Sequence, residues 1–370
     1  MNELIRFSDE QAMLLETASA FCREKSPIHA VRALLGSDHG YDRGVWEEIV
    51  ALGWPALAIP ENFGGSGLSL AEAAAIAEPM GRHLMAVPFA SCQIFVAGVL
   101  AGADAALQAA VLPRIAGGAI GTVALFEQEG DWSLTAGEAF GARDGETVVL
   151  SGAKTFVCDA AVAGFVLVSF VLDGAPALAV LTEIAPERLR REIVIDETQR
   201  GYRLDLDGIS VPMSKIMTGT RALAALDAVR DAALLLNAAA AAGGIAGVLD
   251  VTVEYLNTRT AFGRKIGSFQ SLKHTCAEIL VGLERTRSHV WHAASVLGSN
   301  QDAEIALRMA KTEAGEVFTF AGDRAVQFHG GFGFTFDCDA QLFLRRALWL
   351  EYSFGDGAHH RRWLADLLLA

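Results

Sequence analysis

The sequence lacks most features that mark secreted, metal-binding or nucleic-acid-binding proteins. Its 370 residues include only five cysteines, an odd number. They are scattered without a CxxC pair, which argues against a disulfide framework or a zinc site and favours free thiols in a reducing compartment. The formal net charge of −14 argues against nucleic acid or an anionic membrane as a partner, because both bind basic surfaces. A local basic cluster remains compatible with a phosphate-rich cofactor.

Long uninterrupted apolar runs are also missing. The two longest uncharged stretches, residues 84–103 and 232–249, are broken by proline, polar residues or paired glycines. Neither is typical of a membrane span, so we predict packed internal helices for both. The first residues, MNELIRFSDEQ, contain no apolar signal segment, and a cytoplasmic location is expected.

Hydrophobic patterning divides the chain into a helical, a strand-rich and a second helical region. With 52% hydrophobic residues in 370, two or three domains are expected. Apolar residues that recur at helical spacing predict helices over residues 9–21, 46–52, 70–80, 90–102 and 104–116. The same spacing predicts a second group of helices over residues 222–242, 245–259, 269–297, 303–326 and 340–369. Between them, short runs separated by Gly and Asp predict strands at residues 122–125, 147–150, 165–170 and 177–181. Strands do not alternate with helices, so a Rossmann fold is not expected.

Three separated groups of motifs keep one order along the chain. They are Gly53-Trp54 to Gly64-Gly65 with Glu78, Gly81 and Pro88; Tyr255 and Arg259-Thr260-Ala261-Phe262-Gly263 with Phe269-Gln270; and Gln327 to Phe334 with Arg345-Arg346-Ala347. Together they resemble the acyl-CoA dehydrogenase family of flavoproteins over the whole chain. The resemblance implies an α+β multi-domain fold. It has an N-terminal α-helical domain (1–118), a central β-barrel or sandwich (119–218) and a C-terminal four-helix bundle (219–370) that binds FAD and forms oligomers.

The resemblance also implies which residues contact FAD. Arg259 takes the position of the family arginine that reaches the FAD pyrophosphate of a neighbouring subunit, where a planar, always-charged guanidinium suits phosphate. Phe262 and Gln270 take adenine-side positions. Gly330 and Gly331 let the backbone approach the ADP moiety, because glycine has no Cβ, and Gln327 is expected to form a hydrogen bond nearby. The alternative is a surface arginine and an ordinary glycine turn at a helix end.

The catalytic base is the part of the family pattern that this sequence does not keep. The family reaction takes the α-proton of an acyl-CoA with a carboxylate while the β-hydrogen leaves as hydride to flavin N5. Two positions carry that carboxylate in the family, and here they hold Phe354 and Ala233. Asp356 and Glu351 are the nearest candidates for a displaced base. Asp231, near Ala233, lies on a different helix face. The alternatives are a turn or cap role for Asp356 and solvated surface charges for Glu351 and Asp231.

The flavin-facing stretches of the β-domain are altered as well. Residues 124–133 keep Glu127 but lose the threonine and the Gly-Ser-Asp triplet of the family, and residues 154–158 keep Lys154 and an aromatic residue. Cys158 replaces the hydroxyl that meets flavin N5 in the family. A thiol is a weaker donor, and a small packed residue is the preferred interpretation. For His359 and His360 we predict a solvent-facing position rather than metal binding.

Three functions remain open from the sequence. The favoured one is a subunit of an FAD-dependent acyl-CoA dehydrogenase that supplies ADP contacts to a catalytic paralogous chain in an α2β2 assembly, as in steroid side-chain enzymes. The second is a self-sufficient homo-oligomeric enzyme that uses Asp356 or Glu351. The third is a non-enzymatic acyl-CoA-binding protein. For the enzymes, the resemblance implies electron-transfer flavoprotein as electron acceptor.

Overall fold

The computed structural model describes residues 8–131, 133–299 and 301–369. The α-helices of this part are α1 (Asp9–Lys25), α2 (Ile28–Leu34), α3 (Arg43–Ala51), α4 (Leu70–Arg82), α5 (Phe89–Gly102), α6 (Ala105–Ala116), α7 (Gly219–Thr258), α8 (Gln270–Ser295), α9 (Gln301–His329), α10 (Ala340–Tyr352) and α11 (Gly357–Leu369). Its strands are β1 (Gly121–Ala124), β2 (Phe140–Asp144), β3 (Thr147–Ser151), β4 (Ala153–Cys158), β5 (Phe165–Leu172), β6 (Ala175–Thr182), β7 (Leu189–Glu192), β8 (Gly201–Asp205), β9 (Ser210–Pro212), β10 (Ile216–Thr218), β11 (Thr260–Ala261) and β12 (Arg264–Lys265).

Short polar side chains start the early helices where the sequence predicts them. Ser8 accepts a hydrogen bond from the backbone of Gln11, and the Gln11 side chain bonds back to the Ser8 backbone, which forms a capping box for α1. Asp42 caps α3 and Asp104 caps α6 without a reciprocal bond, and each side chain accepts hydrogen bonds from backbone N–H groups of the first turn. The predicted helix–strand–helix order is confirmed, although α2 was not predicted.

Two sheets share one apolar core in the central region. A seven-stranded sheet has the order β10-β6-β5-β2-β3-β9, with β1 parallel to β5, and a three-stranded sheet has the order β4-β8-β7. Val148 and Val168 of the first sheet and Val157 and Leu204 of the second are fully buried in the same cluster. The cluster therefore supports the predicted sandwich of strands.

The prediction of separate helices at 222–242 and 245–259 is wrong, because α7 runs unbroken for 40 residues. A Cβ on Gly243 would lie 1.7 Å from the carbonyl oxygen of Glu78, and one on Gly244 would lie 2.2 Å from the ring of Phe318. The two glycines therefore allow α4 and α9 to approach α7 closely, and they do not end the helix. By length and composition α7 is apolar enough to cross a membrane, but 83% of its most apolar window is buried inside the protein.

The prediction of one helix over 340–369 is also wrong, because a turn separates α10 from α11. Phe354 and Gly355 have φ values of 59° and 108°, in the left-handed half of backbone space that ends a helix. By contact density the chain forms two compact units, one of residues 1–33, 71–85 and 234–370 and one of residues 34–70 and 86–233. The first contains most of the C-terminal helices, and the second contains both large sheets.

Candidate functional site

The C-terminal unit brings together the two separated motifs for which the family resemblance implies contacts with the ADP moiety. Tyr255 lies in the last turn of α7, four residues before Arg259. Its ring stacks on the ring of His329 with 4.1 Å between centroids. His329 is the last residue of α9 and directly precedes Gly330, and its Nδ1 lies 2.7 Å from the carbonyl oxygen of Ala325. The ends of α7 and α9, 70 residues apart in sequence, therefore meet at one place.

The segment after α7 presents cationic and aromatic side chains to solvent. Arg259 is exposed, and Phe262 is 93% exposed at the tip of the β11–β12 hairpin with a φ of 54°. A phenylalanine that is both solvent-exposed and held in the left-handed region indicates a role outside its own chain. Arg264 lies over the ring of Phe269 at 4.1 Å, and Gln270 begins α8, whose first N–H groups favour an anion. This local surface is basic although the chain is acidic overall.

Gly331 is the residue that best tests whether the ADP moiety fits here. Gly330 is explained by its φ of 62°, and Gly333 by a would-be Cβ only 2.1 Å from the carbonyl oxygen of Val326. Neither explanation for a glycine applies to Gly331. Its φ is not positive, and no atom of the chain lies within 4 Å of a Cβ built there. The absence of a side chain leaves its backbone open to an outside group, as a nucleotide cradle requires. Gln327 is exposed beside it. These residues fit an ADP moiety.

Both candidate bases are engaged in holding the turn between α10 and α11. Asp356 accepts a hydrogen bond from the backbone N–H of His359 at 2.7 Å, which is a capping interaction at the start of α11. Glu351 accepts from the backbone N–H of Gly357 at 3.2 Å, and its other oxygen is buried against Gly315 of α9. Burial raises the pKa of Glu351, and the Lys311 ammonium partly opposes that shift. Glu351 is thus not the solvated surface charge considered above.

The two family base positions and their neighbour are also defined. Phe354 occupies the turn, and Ala233 is fully buried on α7. Asp231 is half-buried and pairs with Arg230 at 2.9 Å. The structure therefore places no free carboxylate at position 354 or 233.

Lys154 and Glu127, which the family resemblance singled out, form a buried ion pair in the sheet unit. Their Nζ–Oε1 distance is 2.6 Å, and Lys154 also donates to Leu125 O and Ser169 Oγ. Lys154 is 1% exposed. The pair ties β4 to the chain after β1, so these two residues have a structural role.

Replacing Glu127 by alanine should destabilise the protein by about 3–5 kcal/mol, because a buried ammonium would lose its counter-charge. Urea unfolding of the variant measures this loss. Arg143→Ala, which breaks an exposed pair with Asp173 in the same unit, is the control and should change stability by less than about 1 kcal/mol. Equal effects of the two variants would contradict the assignment.

Cys158, for which the family resemblance implies a position at the flavin ring, ends β4, and Asp159 follows it directly. Burial raises the pKa of the Cys158 thiol above its usual range, and its Sγ lies 3.8 Å from the carbonyl oxygen of Phe156. Asp159 has a φ of 56°, and its carboxyl accepts a hydrogen bond from Ser91 Oγ at 2.6 Å. Burial raises the pKa of Asp159 to about 6, partly opposed by Ser91 and Arg200. A thiol that already donates to the Phe156 carbonyl, and is a weaker donor than a hydroxyl, is a poor substitute for the hydroxyl that the family resemblance implies at the flavin ring.

Asp159 should make stability depend on pH in a defined direction. Its folded-state pKa of about 6 lies above the ordinary 3.8, so folding favours the protonated carboxyl. Relative to Asp159→Asn, the wild type should lose stability as pH rises through about 6, and the two should converge near the ordinary pKa. Melting temperatures of both proteins between pH 4 and 8 test this. A pH-independent difference would show that Asp159 is not the titrating group.

The predicted solvent-facing position is wrong for His360, which is 1% exposed. Its Nδ1 lies 3.1 Å from Arg308 Nη1, so Nδ1 accepts that hydrogen bond. Burial and the charges of Lys311 and Arg308 lower the pKa of His360 to about 3. In the described residues, no three His, Cys, Asp or Glu side chains group as they would around a metal ion. The five cysteines are free, as predicted.

The sequence analysis missed two ionisable groups with shifted pKa values, the buried Lys311 and the half-buried Asp159. Lys311 stands at a core-facing position of α9, between Leu307 and Ala314, where helical spacing requires an apolar residue. That mismatch was visible in the sequence. Asp159 gave no signal, because its burial depends on Ser91 and the chain around Arg200.

Comparison with known proteins identifies the family. The N-terminal domain of acyl-CoA dehydrogenases matches residues 8–119, and the C-terminal domain matches residues 219–369. The acyl-CoA dehydrogenase IpdE2 of Mycolicibacterium smegmatis is 30% identical over 342 residues, covering 92% of this chain and 93% of that protein. IpdE2 of Mycobacterium tuberculosis is 30% identical over 340 residues, covering 92% of this chain and 91% of that protein.

Solved structures agree with this assignment. A variant of the Tcur3481-Tcur3483 steroid ACAD is 26% identical with a TM-score of 0.86, and the match covers 98% of each chain. The butyryl-CoA dehydrogenase of Megasphaera elsdenii, 20% identical, has the same fold with a TM-score of 0.88 over 100% of each chain. The predicted fold class and enzyme class, an oxidoreductase of the acyl-CoA dehydrogenase type, are confirmed. This chain belongs to the acyl-CoA dehydrogenase family.

Proposed function

We propose that this chain is the base-lacking subunit of a heteromeric, FAD-dependent acyl-CoA dehydrogenase. Its C-terminal unit holds the ADP moiety of FAD for a catalytic partner chain of the same fold. One contrast supports the proposal. The surface of Arg259, Phe262, Gln270, Gln327 and Gly331 is complete and open, whereas Phe354 and Ala233 stand where the family carries its carboxylate.

The chemistry divides between the chains accordingly. When bound, FAD accepts the hydride that leaves the β-carbon of the acyl group. Arg259 would place a positive charge beside the pyrophosphate, and the backbone at Gly330 and Gly331 would hold the ADP moiety. The partner carries the carboxylate that removes the α-proton. The steroid ACAD among the similar structures supports a steroid-derived or other bulky acyl-CoA as the substrate class. We further propose a cytoplasmic location and electron-transfer flavoprotein as electron acceptor.

Purification alone and together with a paralogous partner tests the proposal. The complex should be yellow and lose flavin absorbance when acyl-CoA is added, whereas the lone chain should do neither. A lone chain that purifies with FAD and bleaches with substrate would refute the subunit assignment and favour a homo-oligomeric enzyme.

The second candidate function is a self-sufficient homo-oligomer with a displaced base. The burial-raised pKa of Glu351 is the observation that favours it, because an effective base needs a raised pKa. Against it, Glu351 and Asp356 both bond to backbone N–H groups of α11.

Neutralising the two acids discriminates between the candidates. In the proposed heteromer, Glu351→Gln and Asp356→Asn should each leave kcat within about twofold, because both variants keep the backbone hydrogen bonds and neither residue moves the substrate proton. Steady-state kinetics with the partner present measure this. A loss of about 100-fold or more in either variant would identify that residue as the base.

A further inference from the structure

A buried lysine holds the turn between α10 and α11. Lys311 of α9 is 2% exposed, and its Nζ donates to the carbonyl oxygens of Glu351 at 2.9 Å and Gly355 at 2.8 Å. These two carbonyls flank residues 352–354. A single ammonium group therefore fixes both ends of the segment that contains Phe354.

That segment has a conformation that needs support. Phe354 lies at a φ of 59°, which is unfavourable for a residue with a side chain, and Gly355 follows at 108°. A Cβ on Gly355 would lie 3.0 Å from Nε2 of His360, so the ring of His360 closes the other side of the turn. His360 is in turn held by Arg308.

The charge of Lys311 is not explained by an ion pair. In the described residues no carboxylate lies within ion-pair distance of its Nζ, and Glu351 and Asp356 act on it only from farther away. A buried ammonium without a direct counter-charge is less favourable than an apolar side chain of the same size. The two carbonyl bonds are the interactions that an apolar residue would not make.

We propose that Lys311 is the positioning residue of the α10–α11 turn, and that it fixes residue 354 from α9 whatever side chain residue 354 carries. This explains how the turn keeps its shape although the family carboxylate is replaced by phenylalanine. The catalytic meaning of the turn rests on the proposed function. Its conformation does not, and can be tested without FAD, acyl-CoA or a partner.

Hydrogen exchange of the full-length chain tests the positioning role. In Lys311→Met, amides of residues 353–358 should exchange at least about tenfold faster than in the wild type, whereas Lys311→Arg, which keeps a cationic donor, should restore part of the protection. Val290→Ala, which removes buried volume from α8 without touching the turn, is the control for general loss of stability. Equal exchange at 353–358 in Lys311→Met and Val290→Ala would overturn the proposal.

A pH series on the wild type gives a second test that needs no variant to fold. Burial lowers the pKa of Lys311 to about 8. The ionisable groups that interact with it are Glu351 of α10, Asp356 of the turn and His360 of α11, and Arg308 and His359 in turn act on His360. His360, with a pKa of about 3, stays neutral from pH 7 to 10. After correction for intrinsic exchange, protection at 353–358 should fall as pH rises through about 8, while α8 stays protected. Unchanged protection up to pH 10 would overturn the proposal.

Discussion

Arg259→Ala should weaken FAD retention by the complex of this chain and its partner by about 10–100-fold, the loss expected for one charge-assisted pair with phosphate. Arg259 is exposed and, within the described chain, makes no ion pair, so its removal leaves no buried charge behind. The fold should therefore be unaffected. Flavin content after gel filtration and FAD titration of the stripped complex measure the loss.

Arg285→Ala is the matched control for Arg259→Ala. Arg285 is an exposed arginine in the same unit, on α8, where it pairs with Glu313 at 2.5 Å and lies outside the proposed ADP surface. Its variant should retain FAD as the wild type does. FAD retention by Arg259→Lys should lie between that of Arg259→Ala and that of Arg285→Ala, because lysine keeps the charge but not the planar guanidinium group. Equal retention in Arg259→Ala and Arg285→Ala would refute the assignment of this surface.

Phe354→Glu in this chain should not rescue a complex whose partner has lost its carboxylate, because the flavin held by this chain's ADP surface reacts in the partner's pocket and not at position 354. With the partner's own carboxylate neutralised, flavin should bleach on addition of acyl-CoA about 100-fold more slowly than in the intact complex, which is the low end of the usual contribution of a general base, and Phe354→Glu should not restore the rate. The turn is already held through the carbonyls of Glu351 and Gly355, so the new side chain enters a preformed backbone.

Two comparisons make the Phe354→Glu experiment decisive. Phe354→Gln has nearly the same shape as the glutamate variant but cannot take a proton, and it should stay inactive. Both variants at position 354 should therefore bleach flavin at the same rate at every pH, since neither side chain meets a reacting flavin. A pH-dependent gain with Phe354→Glu alone would show that this chain's own pocket holds a reactive flavin and would refute the subunit assignment.

The fold was predictable to the extent that local signals decide it. The change of apolar spacing from helical to strand-like and back gave the helix–strand–helix order. Gly243-Gly244 led to a wrong prediction of a helix break. In sequence, paired glycines look the same whether they end a helix or allow another helix to approach closely, and here the contacts with Glu78 and Phe318 show the close approach. The break at Phe354 was missed although Ser353, Gly355 and Asp356 are turn residues. Its conformation could not be read locally, because it is held by a lysine more than 40 residues away.

The residues of the candidate site could be predicted from the sequence, but their hydrogen-bond partners and burial could not. The motifs of the sequence predicted that Arg259 and Gln327 contact the same cofactor. The stack of Tyr255 on His329 is consistent with this, because it joins the ends of the two helices concerned. Spacing could not show that Glu351 and Asp356 bond to the start of α11, or that His360 is buried behind Arg308. Those facts depend on how α9, α10 and α11 pack.

Helix α7 limits how this protein can be divided. Its residues 219–233 belong to one compact unit and its remaining residues to the other, and its apolar stretch is mostly buried. A gene fragment that ends at residue 233 would expose a severed helix end, and it would separate residues 8–33 and 71–85 from the rest of their own unit. We therefore expect neither fragment to fold alone, and the two units to melt in a single calorimetric transition. Any search for the partner should use the uncut chain as bait.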